Sequence, residues 1–191
     1  MNTESHQRII SKAFPISRKQ LVIELLILSL LGALAVVLRA KLRIPLNMPG
    51  HHGLEVMAIL IGGRMFSKLP VASSISTIAA ALCIYIPFLG FKDPFLPVIY
   101  LLMGISIDSL YYFVKKSNAN FLFFAIIGGL AYTVIPSIRL ILHTTSAFEY
   151  MMFLKKGFIL PFISHFAFGF AGGLAATSLS AISKKHSKNK Q

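Results

Sequence analysis

Six apolar runs divide residues 21–182, and their lengths decide what the chain can become. A hydrocarbon core about 30 Å thick is crossed by about 20 apolar residues in a helix, with 17–25 usual. The runs are Leu21–Leu38, Leu54–Phe66, Val71–Gly90, Phe95–Val114, Phe121–Leu142 and Phe158–Ile182. The second is short and is expected to end in protein-lined surroundings. All six are apolar throughout, whereas strands of a membrane barrel alternate in polarity. Of 191 residues 55% are hydrophobic and 13% charged, too few polar groups to coat a soluble domain. The expected fold is an all-α integral membrane protein. It is a six-helix transmembrane bundle over 21–183, flanked by basic segments 1–20 and 184–191.

Charge sets the expected orientation. With the N-terminus inside, twelve of the nineteen Lys and Arg fall on the cytoplasmic side and seven outside. This predicts both termini in the cytoplasm and residence in the cell (plasma) membrane. The net charge of +13 does not point to nucleic acid, because the basic residues cluster at the termini and in the gaps between runs. Ala33-Leu34-Ala35 resembles a signal cleavage site. However, Glu24 interrupts the apolar core and the run continues to Leu38, so an uncleaved first helix is expected. Cys83 is the single cysteine and lies in an apolar run, which excludes an intramolecular disulfide.

That orientation sorts the polar residues near the membrane into two sets. The outer set is Arg39, Arg43, Asn47, His51, His52, Glu55, Arg139, His143 and His165; the inner set is Glu24, Arg64 and Asp108. An ionisable group in hydrocarbon costs a few kcal/mol, so it turns to protein or water. A Lys or Arg partner such as Arg64 is the simple explanation for Asp108 and Glu24. The stretch Arg43–Glu55, RIPLNMPGHHGLE, reads as a structured loop. Its prolines and Gly50 restrict the chain, and His52 and Glu55 share a helical face at i, i+3. Two histidines and a carboxylate also form a metal-ligand set. Neither HExxH nor HxxEH occurs, and the adopted reading has no metal and no cofactor. The expected substrate contacts are Asn47, His51, His52, Glu55, Arg139 and His165. Arg139 would take an anionic group and His165 would form the floor.

Small residues mark close helix contacts: Ser29 and Ala33 on the first helix, and Gly169 and Gly173 on the sixth. Size, six spans, inside termini and a polar outer loop together resemble the substrate-capture S components of energy-coupling factor (ECF) transporters. That resemblance covers nearly the whole chain and is architectural. It implies capture of a vitamin-like solute at the outer face under a lid formed by Ala40–Gly53. It also implies docking through Ser29 and Ala33 onto a transmembrane coupling subunit that works with two ATPases. Serine stands where the family's first small residue is alanine. No GxxxxGK[ST] motif occurs, as expected of a subunit that borrows its ATPases. Tryptophan is absent, so Tyr100, Tyr132 or Phe166 would stack on a flat ring. Two alternatives stay open. One is an intramembrane metal-dependent enzyme using His51, His52 and Glu55 with His143 or His165, and the other a self-contained small-solute carrier.

Overall fold

The structure, a computed structural model, describes residues 17–42, 48–115, 121–146 and 148–188. Their regular elements are all helical: α1 Arg18–Lys41, α2 Gly53–Phe66, α3 Ala72–Ile84, a 3-10 turn Pro87–Leu89, α4 Leu96–Lys115, α5 Phe121–Tyr132, α6 Val134–Thr145, α7 Met151–Lys156 and α8 Ile159–Lys188. Four segments are long and apolar enough to cross a membrane: Arg18–Lys41, Leu96–Phe113, Phe121–Thr145 and Ile159–Leu179.

The boundaries follow local chemistry. α1 starts three residues before its apolar run because Ser17 and Gln20 close a capping box, each side chain accepting the other's backbone N–H at 3.3 Å. α2 and α3 have 14 and 13 residues. At 1.5 Å per residue they extend only about 20 Å, short of a full crossing. The third apolar run was expected to stay helical to Gly90, yet α3 ends at Ile84. Pro87 has no N–H to extend the ladder, and Gly90, at φ 72°, closes the 3-10 turn behind it. The fifth run is likewise broken at Thr133. Pro136 cannot donate to the carbonyl of Tyr132, and the Thr133 N–H is shared between Gly129 and Leu130 at 3.2 Å each. The last helix extends past the expected boundary at 183 to Lys188.

α8 packs against α2 and α5, while α1 packs against α2 and α3, and α4 against α3. Tyr100, Met103, Ile107, Leu60, Ile61 and Tyr132 form part of the core between these groups. The inward face of α1 consists of Leu28, Gly32, Ala35 and Val36, and a Cβ at Gly32 would strike the backbone of Ser76. Ser29 and Ala33 flank that face half-buried. The outward face carries large side chains instead, with Leu26 61% and Leu30 69% exposed. The small pair is therefore at the edge of an internal contact, and any docking through α1 would meet leucines first.

The described residues of the two polar sets separate to opposite ends of the bundle. At one end Glu24 accepts from the Ser67 hydroxyl at 2.6 Å and the Lys68 N–H at 3.2 Å. Beside it Arg64 and Asp108, both buried, pair at 3.6 Å, as the sequence led one to expect. At the other end α1 finishes with Arg39 and α2 begins beneath the loop containing His51 and His52.

Candidate functional site

The polar end is assembled by backbone approach. Gly50 adopts φ +79°, where a side chain is strained, and a Cβ there would meet the His165 ring at 2.7 Å. A Cβ at Gly53 would collide with Tyr132. These two glycines seat the end of the connection and the start of α2 directly on α5 and α8. Tyr132 and His165 stack at 5.1 Å and 28° beneath it. His165 donates from Nδ1 to the Pro161 carbonyl at 2.6 Å, which leaves Nε2 as the acceptor of the neutral ring.

His51 donates from Nδ1 to the Met48 carbonyl at 2.9 Å, and its ring lies 4.0 Å from that of His52. His52 donates to Glu55 Oε1 at 2.6 Å, the contact anticipated from their i, i+3 spacing. Glu55 lies in the first turn of α2, where the helix dipole favours a carboxylate. Its second oxygen, Oε2, is buried without a hydrogen-bond partner among the described residues. Tyr132 lies within Coulombic range of Arg39, Tyr100, Arg139 and Glu55, and His165 within range of both arginines. The structure thus gathers His51, His52, Glu55, Arg139 and His165 at one end. Asn47, and with it Arg43 and Pro45, lies outside the described residues.

Arg139 differs from expectation in one respect: it already has an anion. Asp93 Oδ2 accepts from Arg139 Nη2 at 2.7 Å and from Nε at 3.1 Å. Asp93 Oδ1 also accepts from the Tyr150 hydroxyl at 3.3 Å and the Phe95 N–H at 3.0 Å. Sequence reasoning passed over Asp93. The available signal was its place in Lys92-Asp93-Pro94, an acid just before an apolar helix, where aspartate commonly binds free N–H groups. Arg39 was placed at this end but not among the contacts. It donates to the Tyr100 hydroxyl at 2.8 Å, and its guanidinium lies 5.5 and 5.8 Å from the Tyr100 and Phe91 ring centres. Among the described residues it has no carboxylate partner.

The aromatic expectations divide. Tyr100 and Tyr132 are fully buried at the cluster, whereas Phe166 packs over Gly129 and is 36% exposed. His143 lies apart, accepting the Tyr150 N–H at 3.3 Å and facing Phe153. Among the described residues no three His, Cys, Asp or Glu side chains come together as a metal site. A cavity of about 310 Å³ opens beside the cluster, with Tyr85, Phe91, Asp93 and Pro97 in its walls.

The Asp93 knot has a pH signature. Burial, followed by the negative charge of Asp93, pushes the Tyr150 hydroxyl up to about 12. The folded chain therefore holds this proton more tightly than the unfolded chain, whose tyrosine titrates near 10. This contribution to stability is fully present below pH 10 and is lost as pH rises toward 12. Tyr150→Phe should flatten that part of the stability–pH profile, read by thermal unfolding at successive pH values. A profile identical to wild type would break the assignment.

The chain is thus all-helical among the described residues, with four helices able by length and composition to cross a membrane and a polar cluster at one end. Compared with protein-family models, curated proteins and solved structures, it matches none.

Proposed function

We propose that the chain is the substrate-binding membrane subunit of a micronutrient importer, similar to the S components of ECF transporters. In this reading α2 and α3, each shorter than a full crossing, are the second and third of six membrane segments, both termini are cytoplasmic, and the cluster faces outward in the plasma membrane. It binds a small, vitamin-like, anionic solute. A coupling subunit and two ATPases supply the energy.

The observation that carries the reading is the seating of the α1–α2 connection. Gly50 rests on His165 and Gly53 on Tyr132, so the described end of this connection and the start of α2 lie directly against polar side chains of α5 and α8. A loop that only joined two helices would need neither contact. In a membrane protein, irregular backbone and ionisable groups persist where protein buries them or where they line a cavity. The intramembrane enzyme is the weaker alternative, because among the described residues neither His143, which accepts from the Tyr150 N–H, nor His165 joins His51, His52 and Glu55 in a group of three that could hold a metal.

The test is binding of radiolabelled vitamins to the purified protein, followed by uptake into liposomes. Saturable binding is expected, reduced at least tenfold by Gly50→Val, which forces the loop off His165. Uptake should require added coupling and ATPase subunits. No saturable binding by wild type, or uptake by this chain alone, would overturn the assignment.

A further inference from the structure

Two opposite charges at the polar end lack their counterparts. Among the described residues Arg64 is paired with Asp108 and Arg139 with Asp93, but Arg39 has only the Tyr100 hydroxyl. Glu55 spends Oε1 on His52 and leaves Oε2 buried and, among those residues, unpartnered, on a side chain 10% exposed. The chain contains only six acidic residues, so a spare carboxylate facing the interior is not an incidental surface feature. Among the described residues Arg39 and Glu55 form no ion pair with each other, and Asp93, whose charge also acts on Arg39, is bonded to Arg139. Tyr132 packs under the start of α2, where a Cβ at Gly53 would meet its ring at 2.4 Å, and shares the buried core with Tyr100, the residue that Arg39 bonds.

Buried polar atoms are normally satisfied, and an orphan at a candidate site asks what would satisfy it. A guanidinium with free N–H groups calls for an anion. A carboxylate oxygen accepts only, so it calls for an N–H or O–H donor. We infer that the cluster takes a small bipolar solute, its anionic group held by Arg39 with Tyr100 and an N–H donor bound at Glu55 Oε2. One guanidinium without a bonded carboxylate matches one negative charge, which favours a carboxylate over a dianionic phosphate. Tyr132, under the start of α2 and in the same core as Tyr100, contacts the middle of the solute. This rests on the reading of the cluster as a ligand site and moves the anion contact from Arg139, already neutralised, to Arg39.

The full-length protein in detergent is incubated with a cell metabolite extract, washed and denatured, and the released small molecules are identified by mass spectrometry. The enriched species is expected to carry a carboxylate and at least one N–H donor. Arg39→Met and Glu55→Gln should each lower its recovery at least tenfold, while Lys156→Ala, at an exposed position on α7, leaves it unchanged. Tyr100→Phe removes one hydroxyl and provides the same readout if either charge variant does not fold. An enriched anion without an N–H donor, a phosphate ester or a neutral solute overturns the bipolar inference but leaves the ligand-site reading intact. So does recovery unchanged by Arg39→Met or Glu55→Gln. Enrichment of nothing overturns both.

Discussion

Asp108→Ala is expected to lower stability by about 3–5 kcal/mol, the cost of breaking a buried ion pair from one side. For a chain of this size that corresponds to a fall in melting temperature of about 10 °C. Two losses coincide. Asp108 accepts from the N–H groups of Ser73 at 3.1 Å and Ser74 at 2.8 Å, and from the Ser74 hydroxyl at 2.7 Å. These contacts cap α3 from another helix, and α3 needs them because its own N-cap, Val71, has no side chain that can cap. The substitution also leaves Arg64, 4% exposed, without its countercharge. Arg64 still donates to the Leu69 carbonyl and lies over the Tyr111 ring, so its head group cannot easily withdraw to water. Asp108→Asn separates the two effects, since the amide oxygen can cap while the charge is gone. Its loss should be smaller, and adding Arg64→Met to it should recover part. Thermal unfolding of the purified variants in detergent measures all three. If Asp108→Ala melts with wild type, the cross-helix cap does not hold the fold.

How much of this was legible in the sequence varied with the physics involved. Run lengths predicted helices wherever the backbone ladder was uninterrupted, as in α1, α4 and α8. They overran at Pro87 and Pro136, where hydropathy stays high but a donor is missing. The separation of the described polar residues into two ends was legible because successive helices of alternating direction would impose it. The i, i+3 link between His52 and Glu55 was legible because it is local. Asp93 was not, because its partners Arg139 and Tyr150 lie 46 and 57 residues away and only the folded chain brings them together. The same holds for Arg39. Its significance depends on which other cations are already paired, and that is a property of the whole bundle.

The largest effect on the candidate site without touching a polar side chain is expected from Gly169→Leu. α8 lies against α5 so closely that a Cβ at Gly169 would meet the Gly128 carbonyl oxygen at 2.5 Å and the Tyr132 Cβ at 2.6 Å. The reverse holds too, since a Cβ at Gly128 would meet the Gly169 oxygen at 2.5 Å. No rotamer relieves a clash with backbone, so the helices must move apart. Small-to-large changes in tight contacts cost about 1–3 kcal/mol, and one that separates backbones belongs at the top of that range or above it. In lipid this matters more, because close packing rather than apolar burial holds helices together. The displacement would also reach the loop. Gly53 would bring a Cβ to 3.1 Å from the Gly169 nitrogen, and a Cβ at Gly172 would meet the Leu54 and Gly53 carbonyl oxygens at 2.6 and 2.7 Å. The same stretch of α8 therefore supports α5, the start of α2 and, through His165, Gly50. Gly169→Leu should melt well below wild type and lose ligand recovery together with stability. Gly62→Leu, at a glycine whose Cβ would meet nothing within 4 Å, should do neither. If Gly169→Leu kept wild-type stability and recovery, α8 would not be the platform on which the loop is seated.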